Sequence, residues 1–84
     1  MNVTVLSPER ELFSGAAVSV SVPGVEGKFQ ILRNHAPIVS ALTEGSVAIR
    51  RADNQLTTFA IERGFVEVLN NEVSLLVQGV AEGA

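Results

Sequence analysis

Chemistry in this chain would have to be assembled from few parts. His35 is the single imidazole, Glu62 and Glu67 stand five positions apart, and there is no cysteine. A nucleophilic triad needs an imidazole to activate a serine and a carboxylate to orient the imidazole. No serine here occupies a Gly-x-Ser-x-Gly turn. A histidine that hydrogen-bonds its own loop or an interface is the simpler account of His35. Zinc would ask for three or four Cys, His or carboxylate ligands, and no alternating run of acids before a glycine offers calcium a loop. Glu62 and Glu67 could pair as general acid and base. However, 84 residues leave little room for a pocket that would raise one carboxyl's pKa. Outward-facing charges on strands account for both glutamates.

Gly24-Val25-Glu26-Gly27 has the outline of a GxxG loop. Such a loop clamps a nucleic-acid backbone when it joins helices in a basic setting, whereas this one carries an acid and lies between strands. Lys28-Phe29 after the second glycine does not make a phosphate cradle, which needs a lysine followed by Ser or Thr at the start of a helix. The two glycines are better read as permitting backbone angles that a tight crossing requires. They belong to a longer stretch, Pro23 to Pro37, which holds two of the three prolines and collects Glu26, Lys28, Arg33, Asn34 and His35. A special contact surface is expected there first.

Length and composition bound the rest. At 84 residues the chain is one domain, 1–84, and 46% of its residues are hydrophobic, so it can form a core. A domain this size buries only about 60% of the surface its unfolded chain exposes. Without disulfides it is expected in a reducing compartment or in a larger assembly that supports it. Its net charge is −3, and its six basic residues are scattered apart from Arg50-Arg51. Nucleic acid selects clustered positive charge and is not an expected partner. The N-terminus lacks the basic segment and apolar core of a signal peptide. The longest uncharged stretch, Leu12 to Val25, is too short and too broken to span a bilayer.

The elements that must position these residues are strands. Asn2 to Leu6 alternates, with Val3 and Val5 on one side, and Ser7-Pro8-Glu9-Arg10 reads as a turn. A helix start there lacks the glutamate of a capping box, since Arg10 stands in its place. Ala17 to Val22 predicts a strand with Val18, Val20 and Val22 inward and Ser19 and Ser21 outward. Further strands are expected over 28–32, 38–42, around Val47 and Ile49, over 55–62, 64–69 and around Val73 to Val77. Asp53-Asn54 supplies one turn and Asn70-Asn71 a two-residue hairpin. Residues 1–78 are expected to form the folded core and 79–84 a short tail. Turn signals every eight to twelve residues or so, with no sustained 3.6 period, predict an all-β sandwich or barrel.

Taken in order, the motifs resemble a known family. Val22-Pro23-Gly24-x-x-Gly27, then Ile31-Leu32-x-Asn34-His35-Ala36-Pro37, then Leu42-x-x-Gly45-x-Val47 are similar to the epsilon subunit of rotary F-type ATP synthases. So are Phe59-Ala60-Ile61-x-x-Gly64-Phe65-x-Glu67-Val68, Val73-Ser74-x-Leu76 and the opening Ser7-Pro8-Glu9 with Leu12-Phe13-Ser14-Gly15. The resemblance spans essentially the whole chain.

It implies a flattened β-sandwich of about ten mostly antiparallel strands. It also implies a non-catalytic central-stalk part that couples proton flow to ATP synthesis. The partners implied are the gamma subunit and the ring of membrane c subunits, on the cytoplasmic face of a bacterial plasma membrane. Carried over, it puts Lys28, Arg33, Asn34 and His35 at or near the ring. Glu26, Ala36 and Pro37 complete the residues expected to meet ring or gamma. No catalytic residue, cofactor or metal is implied. The rival is a free-standing module for a peptide or sugar, which stacking tryptophan or tyrosine would favour; the chain has neither.

Members of that family commonly continue into a C-terminal helical pair that binds ATP or restrains the motor. The seven residues after Val77 fall short of the roughly 12–15 that an isolated helix needs to be even marginal. This polypeptide is therefore expected not to bind ATP. Calorimetric titration should give no saturable heat, and micromolar binding would contradict the expectation.

Overall fold

The computed structural model describes residues 1–82. Nine strands follow one another: β1 (Asn2–Leu6), β2 (Glu11–Gly24), β3 (Gly27–Leu32), β4 (Ile38–Leu42), β5 (Gly45–Arg51), β6 (Leu56–Ile61), β7 (Arg63–Leu69), β8 (Glu72–Gln78) and β9 (Ala81–Glu82). Among the described residues there is no helix. β1, β8, β7 and β4 form one layer, and β3, β2, β5, β6 and β9 the other. All pairs are antiparallel except β1 with β8. The body is flattened, 28 × 27 × 20 Å.

The 14-residue β2 belongs to both layers. Its first half pairs with β1, its second half pairs with β3 and β5, and Gly24 at its end meets Leu42 of β4. Sixteen apolar side chains among the described residues are buried between the layers, and no polar or charged residue is buried with them. Twelve of the sixteen are valine or isoleucine, whose β-branching suits a pleated surface. Alternation is cleanest in β8, where Val73, Leu75 and Val77 face in and Ser74, Leu76 and Gln78 face out. β7 must approach β8 closely: a Cβ at Gly64 would run into the Leu76 carbonyl oxygen and sit 3.1 Å from Val77 Cα.

The turns follow their residues. Ser7 N–H donates to Arg10 O at 2.9 Å, and Ser7 Oγ accepts from Arg10 N–H at 3.2 Å. Asn70 and Asn71 take φ of 50° and 62°, as a two-residue turn matched to strand twist requires. In the β5–β6 turn, Asp53 Oδ1 accepts from Gln55 N–H at 3.0 Å, and Arg51 Nη2 reaches Asp53 Oδ2 at 2.9 Å.

Two expectations are corrected. Val18 does not face the core: a bulge between Ala17 and Ser19 in the β2–β5 pairing supplies an extra residue, turns Val18 outward and gives the inward place to Ala17. β2 begins at Glu11 instead of Ala17, because the segment before Ala17 pairs with β1. The described strands number nine, close to the ten or so expected. Of the expected tail, Ala81 and Glu82 pair with β6, while Gly83 and Ala84 lie outside the described residues.

Two measurements check this account. Leu75 is fully buried and its neighbour Leu76 is exposed. Leu75→Ala should cost about 2–5 kcal/mol of unfolding free energy and Leu76→Ala no more than about 0.5 kcal/mol. Equal costs in denaturant titrations would contradict the assigned faces. The Gln55 N–H first, and then Arg51, hold the Asp53 carboxyl below its ordinary value of 3.8. A carboxyl depressed in the folded state adds stability above its unfolded value and loses it as pH falls through the folded one. An NMR titration of Asp53 should therefore show a midpoint below 3.8, moving up in Arg51→Ala.

Candidate docking surface

Because strand side chains alternate, the register across β1, β8, β7 and β4 decides what stands in rows on the outer face of that layer. Leu6 pairs with Leu76, Leu76 with Phe65, and Phe65 with Ala41. All four belong to the outward set, and Leu76 and Phe65 are 56% and 58% exposed. An open groove of about 660 Å³ follows this row, lined also by Pro8, Arg63 and Gln78. Arg63 Nε donates to Gln78 Oε1 at 2.8 Å, across β7 and β8. The next row is Thr4, Ser74, Glu67 and Val39, and the third Asn2, Glu72 and Leu69. Val39 is 71% exposed, the highest value among the exposed large hydrophobic residues.

The opposite outer face mixes short side chains with Arg50 and with the exposed Leu32 and Leu56. Ser19 and Ser21 on β2 face Arg50 and Ala48 on β5, which face Leu56 and Thr58 on β6. Of the four phenylalanines, Phe59 is in the core, Phe13 and Phe29 pack half-buried against it, and Phe65 stands on the first face. Contiguous exposed apolar surface of this kind marks an interaction site.

The residues singled out in the 23–37 stretch divide between two ends of the molecule. Glu26 and Lys28 are exposed on the β2–β3 hairpin. That hairpin is tied to the end of β4 by Val25 N–H to Ala41 O at 3.0 Å and by Thr43 N–H to Pro23 O at 2.8 Å. Arg33, Asn34, His35, Ala36 and Pro37 form the bend at the far end of β3, which leads into β4. Lys28 and Arg33 are five strand positions apart, about 16 Å at some 3.3 Å per residue. The fold thus groups five of the seven residues and separates the other two, Glu26 and Lys28, from them.

His35 is half-buried. Its N–H donates to Leu32 O at 3.1 Å, and its Nδ1 lies 2.7 Å from Ala36 O. A carbonyl only accepts, so this ring nitrogen carries the proton. The imidazole is occupied with its own loop. Glu62 sits in the bend just before β7 and Glu67 five positions on within β7, about 16 Å away by the same spacing, beyond the roughly 5–9.5 Å that paired carboxyls of glycoside-cleaving enzymes span. Among the described residues no group of three or more His, Cys, Asp or Glu could hold a metal ion. Among the described residues the geometry offers an exposed apolar surface suited to docking. Sequence reading missed the apolar row, although the outward leucines and phenylalanine were visible once cross-strand register was known.

Comparison with known proteins agrees with this architecture. Residues 1–83 match the family described as ATP synthase, Delta/Epsilon chain, beta-sandwich domain. An ATP synthase epsilon chain from Leptospira borgpetersenii is 47% identical over 76 residues, covering 90% of this chain and 59% of that one. The epsilon chain of Chlorobium limicola is 40% identical, covering 92% and 88%. That of Caulobacter vibrioides is 39% identical, covering 100% and 96%. This chain therefore spans about three-fifths of the Leptospira relative and nearly all of the other two. Among solved structures, a chain of the Tetrahymena thermophila mitochondrial ATP synthase central stalk and c-ring superposes with a TM-score of 0.81 at 22% identity, covering 98% of this chain and 66% of that one. A chain of the Euglena gracilis mitochondrial ATP synthase gives 0.83 at 18%, covering 95% and 51%. At those identities the likeness is one of fold. The sequence matches go further: the chain belongs to the ATP synthase delta/epsilon family, and its residues 1–83 match that family's β-sandwich domain.

Proposed function

We propose that this chain is a non-catalytic part of the central stalk, held between the gamma subunit and the c ring, where it helps couple proton flow to ATP synthesis. The observation that carries this reading is the exposed apolar row Leu6, Leu76, Phe65 and Ala41, which is continuous across four strands, whereas the exposed Leu32 and Leu56 of the other layer are separated by Ser19 and Arg50. A domain in isolation gains nothing from such a row, whereas a partner's apolar side chains would bury it. Gamma is the occupant assigned to this face. The bend Arg33–Pro37 runs directly into β4 and its exposed Val39, so it serves as a polar rim of the gamma surface. The Glu26–Lys28 hairpin stands at the other end with both signs of charge exposed, a suitable foot for the polar loops of the ring.

Torque must not be lost as deformation. A close-packed core between hydrogen-bonded strands deforms little, which fits a transmitting part better than a hinge. On this reading the domain meets the membrane only through the ring, on the cytoplasmic side of a bacterial plasma membrane.

Phe65→Glu and Leu76→Glu place charge where apolar surface should be buried. Each should leave the isolated domain folded and weaken its association with purified gamma by about 2 kcal/mol or more, roughly thirtyfold. Undiminished retention of gamma together with undiminished proton-driven ATP synthesis would rule out this face. A free-standing module, by contrast, would purify without gamma whether or not it carried the substitutions.

A further inference from the structure

The bend between β3 and β4 has little of its own to fix its shape. Its internal bonds, His35 N–H to Leu32 O and His35 Nδ1 to Ala36 O, join near neighbours. The long-range tie comes from the β7–β8 hairpin, 37 positions further on. Asn34 N–H donates to Asn71 Oδ1 at 2.7 Å, and Asn71 Nδ2 donates to Asn34 Oδ1 at 2.9 Å. Both asparagines hold left-handed backbone, φ 65° and 62°. Asn71 O also accepts from Asn2 N–H at 2.9 Å. The main chain of Asn71 thus joins the hairpin to β1 while its side chain grips the bend.

The turn at 70–71 does not need that side chain. A glycine would adopt φ of 62° with less strain, so the amide at position 71 is left to explain by what it holds. We propose that Asn71 is a positioning residue for docking: its amide clasps the Arg33–Pro37 bend in one pose, so that the bend meets gamma already ordered. The proposal rests on the reading of the bend as part of the gamma surface. Binding by an ordered loop avoids the entropy of fixing it at the moment of contact. Asn34 is the other half of the clasp, and neither residue needs to touch gamma itself.

Asn71→Gly removes both side-chain bonds and keeps the turn, the Asn2 bond and the core. Amide exchange at Asn34 should accelerate about three- to tenfold, as loss of one net hydrogen bond predicts, with exchange at Asn2 unchanged. Affinity for purified gamma should fall by a similar factor while the melting temperature stays close to that of the parent chain. Asn71→Asp keeps an acceptor for Asn34 N–H, and the Asn34 amide can turn to donate to it, so this variant should restore both exchange and affinity. Parent-like exchange at Asn34, or parent-like affinity, in Asn71→Gly overturns the proposal. Arg33→Ala and His35→Ala in the same binding assay tell two failures apart. If they weaken binding while Asn71→Gly does not, the clasp idea falls and the docking reading stands. If they leave binding intact, the docking reading of the bend falls and takes this proposal with it.

Discussion

Everything in this molecule depends on β2 being shared by two layers. Its first half is hydrogen-bonded to β1, and its second half is paired on both sides and ends against β4. One strand therefore contributes backbone hydrogen bonds to both layers, and among the described residues the valines and isoleucines between them are enclosed without a buried polar side chain. Sliding one layer over the other would break main-chain bonds and open a close-packed interior together. A domain of this size has little stability to spare, and this arrangement concentrates it where rigidity is useful.

Once the interior is committed, the two outer faces are free to differ. One carries serine, alanine and threonine, with the exposed Leu32 and Leu56 set apart by Ser19 and Arg50. The other exposes leucine and phenylalanine in a row set by cross-strand register, with Arg63 and Glu67 on the same strand. Charge is shared between the turns, at Glu26, Arg33, Glu44 and Asp53 among others, and the strands, at Lys28, Arg50, Glu67 and Glu72 among others. A slab with one apolar face and polar groups at both ends can meet two partners at once without moving internally, as the proposed link between ring and gamma would require.

Most of the strand pattern could be read before any coordinates were at hand, because burial on one face enforces a period of two. Val3 and Val5, Ile38 to Leu42, and Val73 to Val77 lie where alternation puts them. The Asn70-Asn71 hairpin follows from the tolerance of asparagine for positive φ. The bulge at Val18 was not legible: a bulge is a property of two paired strands, and nothing in Val-Ser-Val-Ser-Val marks where the extra residue falls. The same limit hid the apolar row, whose members lie as far apart in sequence as Leu6 and Leu76 and become neighbours only through pairing. It also hid the Asn34–Asn71 clasp. Conversely, adjacency in sequence made one cluster of Glu26, Lys28 and the 33–37 bend, when an intervening strand sets them at opposite ends.

The chain has no cysteine, so single cysteines can be placed at will and their labelling compared with and without gamma. With gamma bound, cysteines at Phe65, Leu76 and Val39 should be shielded, and those at Ser21, Ala48 and Thr58 on the opposite face should label at the rate of the free domain. Shielding of the second set with free labelling of the first would contradict the claim that the apolar face is the one that docks.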